Sequence, residues 1–405
     1  MKKIADICRT AAGGTPLKSK KAFYEGGDIP WLLSGEVGGN ITKTKNFITQ
    51  AGLDGSSAKI FPVNTVLIAM YGATAGEVGI LRCEAATNQA VCGIYPNENI
   101  SPEYLYYFFL NHKEQLVAQA VGNAQPNISQ QKIKDTEIDL PCLSIQKRIV
   151  AILDEIFADI EQVRAKTEQN LKNARELFES YLQQVFSQRG EGWENMTLSQ
   201  ATGGVYTGPF GSLLHKSDYI ENGIPLVNPA HITSVGIEPD LRKTISEETA
   251  QRLKSYVMSE GDIVIARRGE MGRCALVTSK EEGYLCGTGS FFIKFSDKVL
   301  GDYLVRYLRS AAGKERLEQI ASGAVMLNLS NAELSNFSLY FPPVDKQKKI
   351  VREIGEISEK IEVMAQVYQD KLLALDELKK SILQKAFSGE LTKTSDNKTK
   401  QGALA

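Results

Sequence analysis

The sequence predicts an α+β protein written twice over. Two mixed α/β domains are each followed by a long helix, and the two helices form an antiparallel coiled coil about an internal pseudo-two-fold. Three observations predict this. Leu140 to Ile156 reads LPCLSIQKRIVAILDEI and Phe341 to Ile357 reads FPPVDKQKKIVREIGEI, at a constant offset of 201. Each phrase opens an apolar pattern stepping alternately by three and four, which is a heptad seam. The segments before them carry short apolar or alternating runs between Gly, Asn and Pro turns, which read as strands.

The repeat extends well past the opening phrases. Gly122 pairs with Gly323, Asn127 with Asn328, Ser129 with Ser330, Gln146 with Gln347, and Leu182 and Phe186 with Leu383 and Phe387. Upstream the match loosens. IPWLLSGEV from Ile29 faces IPLVNPAHI from Ile224, and TVLIAMYG from Thr65 faces DIVIARRG from Asp262, with the offset drifting as loops change length. A period near 200 is a repeat of domains, not a solenoid.

In the first copy, Pro141 ends a strand-like TEIDL and Ser144 is the expected N-cap of the helix. The seam is expected at Ile145, Ile149, Ile152, Ile156, Ile160 and Val163, and after a polar break at Thr167 it resumes through Val185. In the second copy Asp345 takes the cap, and Ile350, Ile357, Ile361, Met364, Tyr368, Leu372, Leu375 and Ile382 keep the same phase. Gly190 and Gly389 are the expected stops. Helices of about 40 residues, roughly 60 Å long, need a cover for their apolar stripe. Pairing with each other is favoured by length and heptad phase; packing on their own domains is the alternative. The boundaries are 1–142 and 191–343 for the mixed domains, 143–190 and 344–390 for the helices, and 391–405 for a polar tail expected to be disordered. One short helix is expected in each mixed domain, in SPEYLYYFFLNHKEQLVAQ and VLGDYLVRYLRSAAGKERLEQI.

Composition narrows the function classes. The 405 residues are 42% hydrophobic and 23% charged, so a core is affordable and disorder is not required. The net charge of -1 gives no global attraction for a polyanion. Six scattered cysteines without CxxC spacing, and three histidines, argue against a zinc site or a disulfide framework and for reduced thiols in the cytoplasm. No run approaches the roughly 20 apolar residues of a membrane helix, and MKKIADICRT is not a signal peptide. GxxxxGK[ST], a dinucleotide Gly-rich turn and a Ser/His/Asp order are all missing. VNPA at Val227 lacks the aromatic of an NPPY-like tetrapeptide, and GTGS at Gly287 reads as a turn before a strand. No catalytic residue, metal site or cofactor is expected.

Candidate DNA contacts lie in the loops of both copies. Arg267 and Arg268, matched by Met70 and Tyr71 with Thr74 nearby, suit a loop tip. Adjacent arginines there fit bidentate contact with guanine or phosphate, or else surface ion pairs. Asn127 and Asn328 fit contacts to bases or backbone, or else caps and turns. Trp31, Ser34 and Glu36 follow a strand in the first copy, where the second has Leu226, Asn228, Pro229 and His231. Different side chains at equivalent positions suit two readers of different sequences, although drift also produces them. Lys43, Lys45, His215 and Lys216 are candidates for phosphate contact.

Taken together, these residues resemble the specificity subunit of a Type I restriction-modification system. The resemblance rests on IQKRIVAILDEI and KQKKIVREIGEI, with GGDIPWL, MYGATAGEVGI and ATNQAV in the first copy. The second copy has GPFGSLLHKSDYIENGIPLV, GDIVIARRGEMGRCALV and ILQKAFSGEL. It covers the chain to about Leu391. It implies that each mixed domain is a target-recognition domain reading one half of a bipartite double-stranded DNA site. It implies that the helices hold the readers apart and so fix the spacer. It also implies two modification (methyltransferase) subunits and the restriction/translocase subunits as partners, with no chemistry in this chain. Two features sit against it: acidic and basic residues balance in 1–142, and Met70-Tyr71 offers no charge where the second copy has two arginines. The competing classes are a stand-alone DNA methyltransferase with an unrecognised site, and a coiled-coil scaffold.

Overall fold

A computed structural model describes residues 1–118, 127–209, 213–323 and 327–391. The expected disordered tail from Thr392 on lies outside them, as do Gly122 and its neighbours. The chain divides into two units. One is Met1–Thr167 with the chain from Asp370 on, and the other is Glu168–Gln369.

The first unit is built on a five-stranded sheet in the order Thr10–Ala12, Val91–Ile94, Val66–Ala69, Val78–Leu81, Gly39–Ile41. All neighbours are antiparallel except the last pair. The run Val66-Leu67-Ile68-Ala69 is buried on both faces, which explains its unbroken apolar character. Strand periodicity sends Val66 and Ile68 into one core, with the helix Pro102–Ala118, and Leu67 and Ala69 into another, with Leu32, Ile41 and Phe61. A second sheet orders Phe47–Ile48, Ile29–Leu32, Ala85–Thr87 and Ile60–Phe61.

The second unit repeats the plan. Its main sheet orders Val205–Thr207, Ser290–Ile293, Ile263–Ala266 and Cys274–Leu276; the second orders Tyr219–Ile220, Thr244–Ile245, Ile224–Val227 and Leu285–Cys286. Ile263 and Ile265 face one core and Val264 and Ala266 the other, as in the first unit. The segment VLGDYLVRYLRSAAGKERLEQI, expected as one short helix, forms two, Gly301–Arg309 and Ala311–Ile320. Ser310 causes the break: its hydroxyl accepts from the Gly313 N–H at 3.2 Å and so caps the second helix.

The two long helices are Leu143–Ser187 and Val344–Phe387. In the first unit, Leu153, Phe157 and Ile160 of one share a core with Leu375, Leu383 and Ala386 of the other. Lys379 pairs with Glu161 at 2.8 Å, and Arg164 pairs with Asp376, so sequence numbers rise on one helix as they fall on the other. In the second unit, Leu182, Val185 and Phe186 pack with Ile350 and Ile354. Within each unit, then, the opening of one helix meets the close of the other, in the antiparallel sense. The same stripes also pack on the α/β part of each unit, so the two alternatives for covering the helices are both realised.

The buried face only partly follows the expected seam: Ile149, Ile160, Ile350 and Leu375 are buried as expected. Ile145 and Val163 are 40% and 38% exposed, whereas Leu153 and Phe157 are buried. The cause is a third element: Phe157 stacks edge-on against Tyr107 of the helix Pro102–Ala118, ring centroids 5.5 Å apart, and Tyr107 donates to Asp154 at 2.5 Å. This widens the buried face beyond a two-helix stripe. Thr167 does not break the seam. It is 2% exposed, and its hydroxyl is satisfied by the Val163 carbonyl at 2.7 Å.

Both helices start one residue before the expected caps, so Ser144 and Asp345 lie in the first turn. What pins each start is the repeated glutamine, fully buried in both units. Gln146 accepts from the Ser101 N–H at 2.9 Å and donates to the carbonyls of Asn99 and Pro141 at 3.0 and 2.8 Å. Gln347 does the same with Leu300, Lys298 and Pro342 at 2.8, 3.0 and 2.8 Å. At the far ends, Gly389 takes a left-handed φ of 81°, but in the first copy Gly192 does so and Gly190 does not. No described helix is long and apolar enough to cross a membrane.

Candidate nucleic-acid interface

Both units carry the same backbone frame at the ends of equivalent strands. In the first, the strand Val66–Ala69 runs into Met70. The Met70 N–H donates to the Ala90 carbonyl at 2.7 Å and its carbonyl accepts from Ile128 at 2.7 Å. In the second, Arg267 after Ile263–Ala266 donates to Gly289 at 3.0 Å and accepts from Leu329 at 2.9 Å. Ile128 and Leu329 are fully buried and anchor the incoming segments. The residue next to each anchor then forms an isolated antiparallel bridge to the strand end: Tyr71 with Asn127, and Arg268 with Asn328, which is also bridged to Ser322. The structure therefore brings together candidates separated by more than fifty residues in the sequence.

The frame is alike and the side chains are not. In the second unit, Asn328 Oδ1 accepts from Arg268 Nε at 3.2 Å and from Arg267 Nε at 3.4 Å. Arg267 is half-buried over the Phe291 ring, 5.7 Å from its centroid, and Arg268 is exposed. Burial, and then the neighbouring Arg268 charge, work against the positive charge of Arg267. The one carboxylate on this turn, Glu270, is already taken by Lys314 at 2.8 Å and Arg273 at 3.4 Å. At the equivalent position the first unit has half-buried Tyr71 and no cation. Gly72 and Gly269, with φ of 87° and 82°, allow the same tight turn in both. Thr74 is half-buried within that turn.

A second loop joins this edge in each unit. In the second, Gly287 donates to the Val227 carbonyl at 3.0 Å, and Arg273 reaches the Pro229 carbonyl at 3.4 Å. The Asn228–His231 segment thus lies beside the arginine turn, with half-buried Asn228 against Gly287. The His231 Nδ1 is 2.7 Å from the Leu226 carbonyl, a contact that needs an Nδ1–H donor and ties the ring to its own turn. In the first unit, Asn88 donates to Leu32 at 3.0 Å, which sets the Ser34–Glu36 turn at the matching place.

Two further sequence-based candidates are engaged internally. Trp31 is buried, and its indole N–H donates to the Gly14 carbonyl at 3.0 Å; it is a core residue, correcting the expectation of a side chain available for contact. Glu36 organises its own loop. It accepts from the Leu33 and Lys45 backbones at 3.0 and 2.9 Å, and from Thr44 and Asn46 at 3.1 and 3.2 Å. Burial alone would raise its pKa; these four donors outweigh burial and hold the carboxyl below its ordinary value. Ser34 is half-buried beside it, while Lys43 and Lys45 are exposed, as are His215 and Lys216 in the second unit.

Sequence reading missed Gln89 and Thr288, the exposed tips of the second loops. The Gln89 side chain is bonded by the Thr15 hydroxyl, and the Thr288 hydroxyl donates to the Pro209 carbonyl at 2.7 Å. The signal was present in the offset that aligns ATNQAV with LCGTGS. All six cysteines are free, and burial pushes the Cys8 thiol up to about 11 and the Cys92 thiol up to about 12. Among the described residues no cluster of His, Cys, Asp or Glu is arranged to hold a metal.

Comparison with known proteins gives a consistent answer. Residues 1–172 and 210–370 match the family described as Type I restriction modification DNA specificity domain. The specificity subunit of the Type I restriction enzyme MjaIX of Methanocaldococcus jannaschii is 26% identical over 96% of this chain and 93% of its own length. That of StySPI from Salmonella potsdam is 24% identical over 96% and 88%. Among solved structures, a chain from work on complex assembly and conformational transition of the type I R-M system superposes with a TM-score of 0.77 at 20% identity, covering 96% of this chain and 97% of that one. The HsdS subunit from Thermoanaerobacter tengcongensis gives 0.58 at 20% identity, covering 96% of each. With two matched segments that span most of its length and one strand-end frame built twice, the chain belongs to the Type I restriction modification DNA specificity domain family.

Proposed function

We propose that this chain is the DNA-reading subunit of a Type I restriction-modification system. Each unit reads one half of a bipartite duplex target through its strand-end loops, and the chain carries no chemistry of its own. One observation carries the reading: the same backbone frame presents Tyr71 and Asn127 in one unit and Arg267, Arg268 and Asn328 in the other. A shared frame with different polar side chains suits two readers of two sequences. The selectivity argument is quantitative. Each correct base pair is worth about 1–3 kcal/mol, so one short half-site recurs too often in a genome, and two halves read together multiply their selectivity.

Lys43, Lys45, His215 and Lys216 serve as phosphate contacts, while Ser34, Thr74 and Asn228 border the loops that face the groove. Methyl transfer and cleavage belong to partners: two modification subunits and the restriction/translocase subunits. The complex acts in the cytoplasm, where its target is. The test is exchange. Replacing residues 1–142 by the corresponding domain of a relative, in a cell that supplies the partner subunits, changes one half of the methylated motif and leaves the other. A motif that changes in both halves, or in neither, refutes the modular reading. Methyl transfer by the isolated chain would refute the division of labour.

A further inference from the structure

We propose that Asn328 positions Arg268 so that its terminal amino groups read the N7/O6 edge of one guanine in the half-site of the second unit. The first unit, with Tyr71 at the same place, reads its half without such a contact. This deepens the reading above and rests on it.

The argument begins with which donors are occupied. An arginine offers Nε–H and two terminal amino groups in one plane, and guanine offers two acceptors, N7 and O6, on its major-groove edge. Both Arg267 and Arg268 spend Nε on the same oxygen, Asn328 Oδ1, at 3.4 and 3.2 Å. No described group accepts from the terminal amino groups of either residue, and neither forms an ion pair, because Glu270 is held by Lys314 and Arg273. What remains open on Arg268 is the end of the fork, two parallel donors on an exposed side chain.

Orientation separates a base reader from a phosphate binder. A phosphate presents charge in many directions, and a mobile cation satisfies it. A base edge demands that the plane of the fork be fixed, which needs a supporting hydrogen bond from a rigid element. Asn328 provides one. Its backbone is bridged to Arg268, and the next residue, Leu329, is fully buried and donates to the Arg267 carbonyl at 2.9 Å. Two like charges sharing one neutral acceptor also leave an unmet demand for an electron-rich partner, which guanine O6 and N7 meet and adenine, with its N6 donor, does not. Asn127 has the same support from Ile128, but no arginine to hold.

The experiment uses the chain assembled with its own modification subunits. The methylated motif of the source cell is mapped first, and exchange of residues 191–343 identifies the half belonging to the second unit. That half is expected to contain a G·C pair. Duplexes carrying the motif, with 7-deazaguanine placed at one guanine at a time, are then titrated with wild-type, Arg268→Ala and Asn328→Ala complexes. At one guanine the analogue is expected to weaken wild-type binding about ten- to a hundredfold, and to have little effect on the Arg268→Ala complex. Asn328→Ala is expected to lower discrimination at that base while leaving the salt dependence of binding to an unrelated duplex unchanged, which a purely structural defect would not do. A half-site without any G·C pair, or wild-type and Arg268→Ala complexes equally sensitive to every analogue, overturns the inference. An exchange that leaves the motif unchanged overturns the underlying reading instead, so the two failures are distinguishable.

Discussion

Replacing Gln347 by leucine tests whether the repeated glutamine, and not the expected cap, defines the helix start. The side chain is fully buried and of leucine's approximate size, so the change removes polarity more than volume. Three hydrogen bonds vanish: from the Leu300 N–H and to the carbonyls of Lys298 and Pro342. Each is worth about 0.5–1.5 kcal/mol net, and each buried partner left unsatisfied costs about 1–3 kcal/mol. Leucine's extra apolar burial offsets part of this, and the expected net loss is about 3–5 kcal/mol. A chain of two units does not unfold in one step, so a single melting temperature is a poor measure. Amide hydrogen exchange reads each unit by itself. Protection is expected to fall around Leu300 and through the opening turns of Val344–Phe387, while the amides of Met1–Thr167 are unaffected. Gln146→Leu is expected to give the mirror result in the first unit. A loss below about 1 kcal/mol, or a loss spread evenly over both units, would refute the argument.

Three further outcomes are expected. Glu36 has a folded pKa below its unfolded value, so its contribution is complete above about pH 4.3 and disappears as pH falls through the lower folded value. Glu36→Gln should therefore flatten the acid limb of a stability–pH curve followed by denaturant titration, with its largest deficit near neutral pH. Gly272→Ala places a Cβ 2.2 Å from the Leu308 carbonyl at a φ of 76° and should cost more than 2 kcal/mol or so, since about 1–2 kcal/mol arises from the left-handed backbone alone. Gly76→Ala, whose nearest neighbours are side-chain atoms of Val117 and Lys113, should cost less in the same denaturation assay. Asp262→Ala leaves the N–H groups of Ser259 and Phe295 and the Lys294 ammonium without their buried carboxylate, with an expected loss of about 3–5 kcal/mol by urea unfolding.

The duplication and the long helices were legible because identities and heptad steps survive drift within one chain. The full width of the buried face was not, because periodicity reports one apolar stripe and Phe157 answers to a third helix through Tyr107. The caps were misplaced for a related reason. Ser144 and Asp345 have the right chemistry, but a glutamine buried three residues into each helix fixes the start by reaching two earlier segments, and no local rule sees that. Trp31 illustrates the limit for the site. An aromatic after a strand reads as a contact residue until the Gly14 carbonyl is seen to hold its only donor.

The balance of acidic and basic residues in the sequence gives no global argument for a polyanion partner, and the structure shows why that sum is a weak guide. Charge acts through what is left after local pairing. In the second unit, Asp218 is paired with Arg252, Asp240 with Arg242, Asp262 with Lys294, and Glu270 with two cations. Those carboxylates are screened at short range by their partners. Arg267 and Arg268 share only a neutral amide oxygen. A nearly neutral chain can therefore hold a concentrated positive field at one strand end, within the roughly 8–10 Å over which charges are felt in physiological salt. At the same strand end of the first unit stand a tyrosine and an asparagine on a like frame, and under the proposed reading its discrimination comes from neutral hydrogen bonding and shape. The two strand ends have diverged in side-chain chemistry while Gln146 and Gln347, and Ile128 and Leu329, make matching contacts behind them.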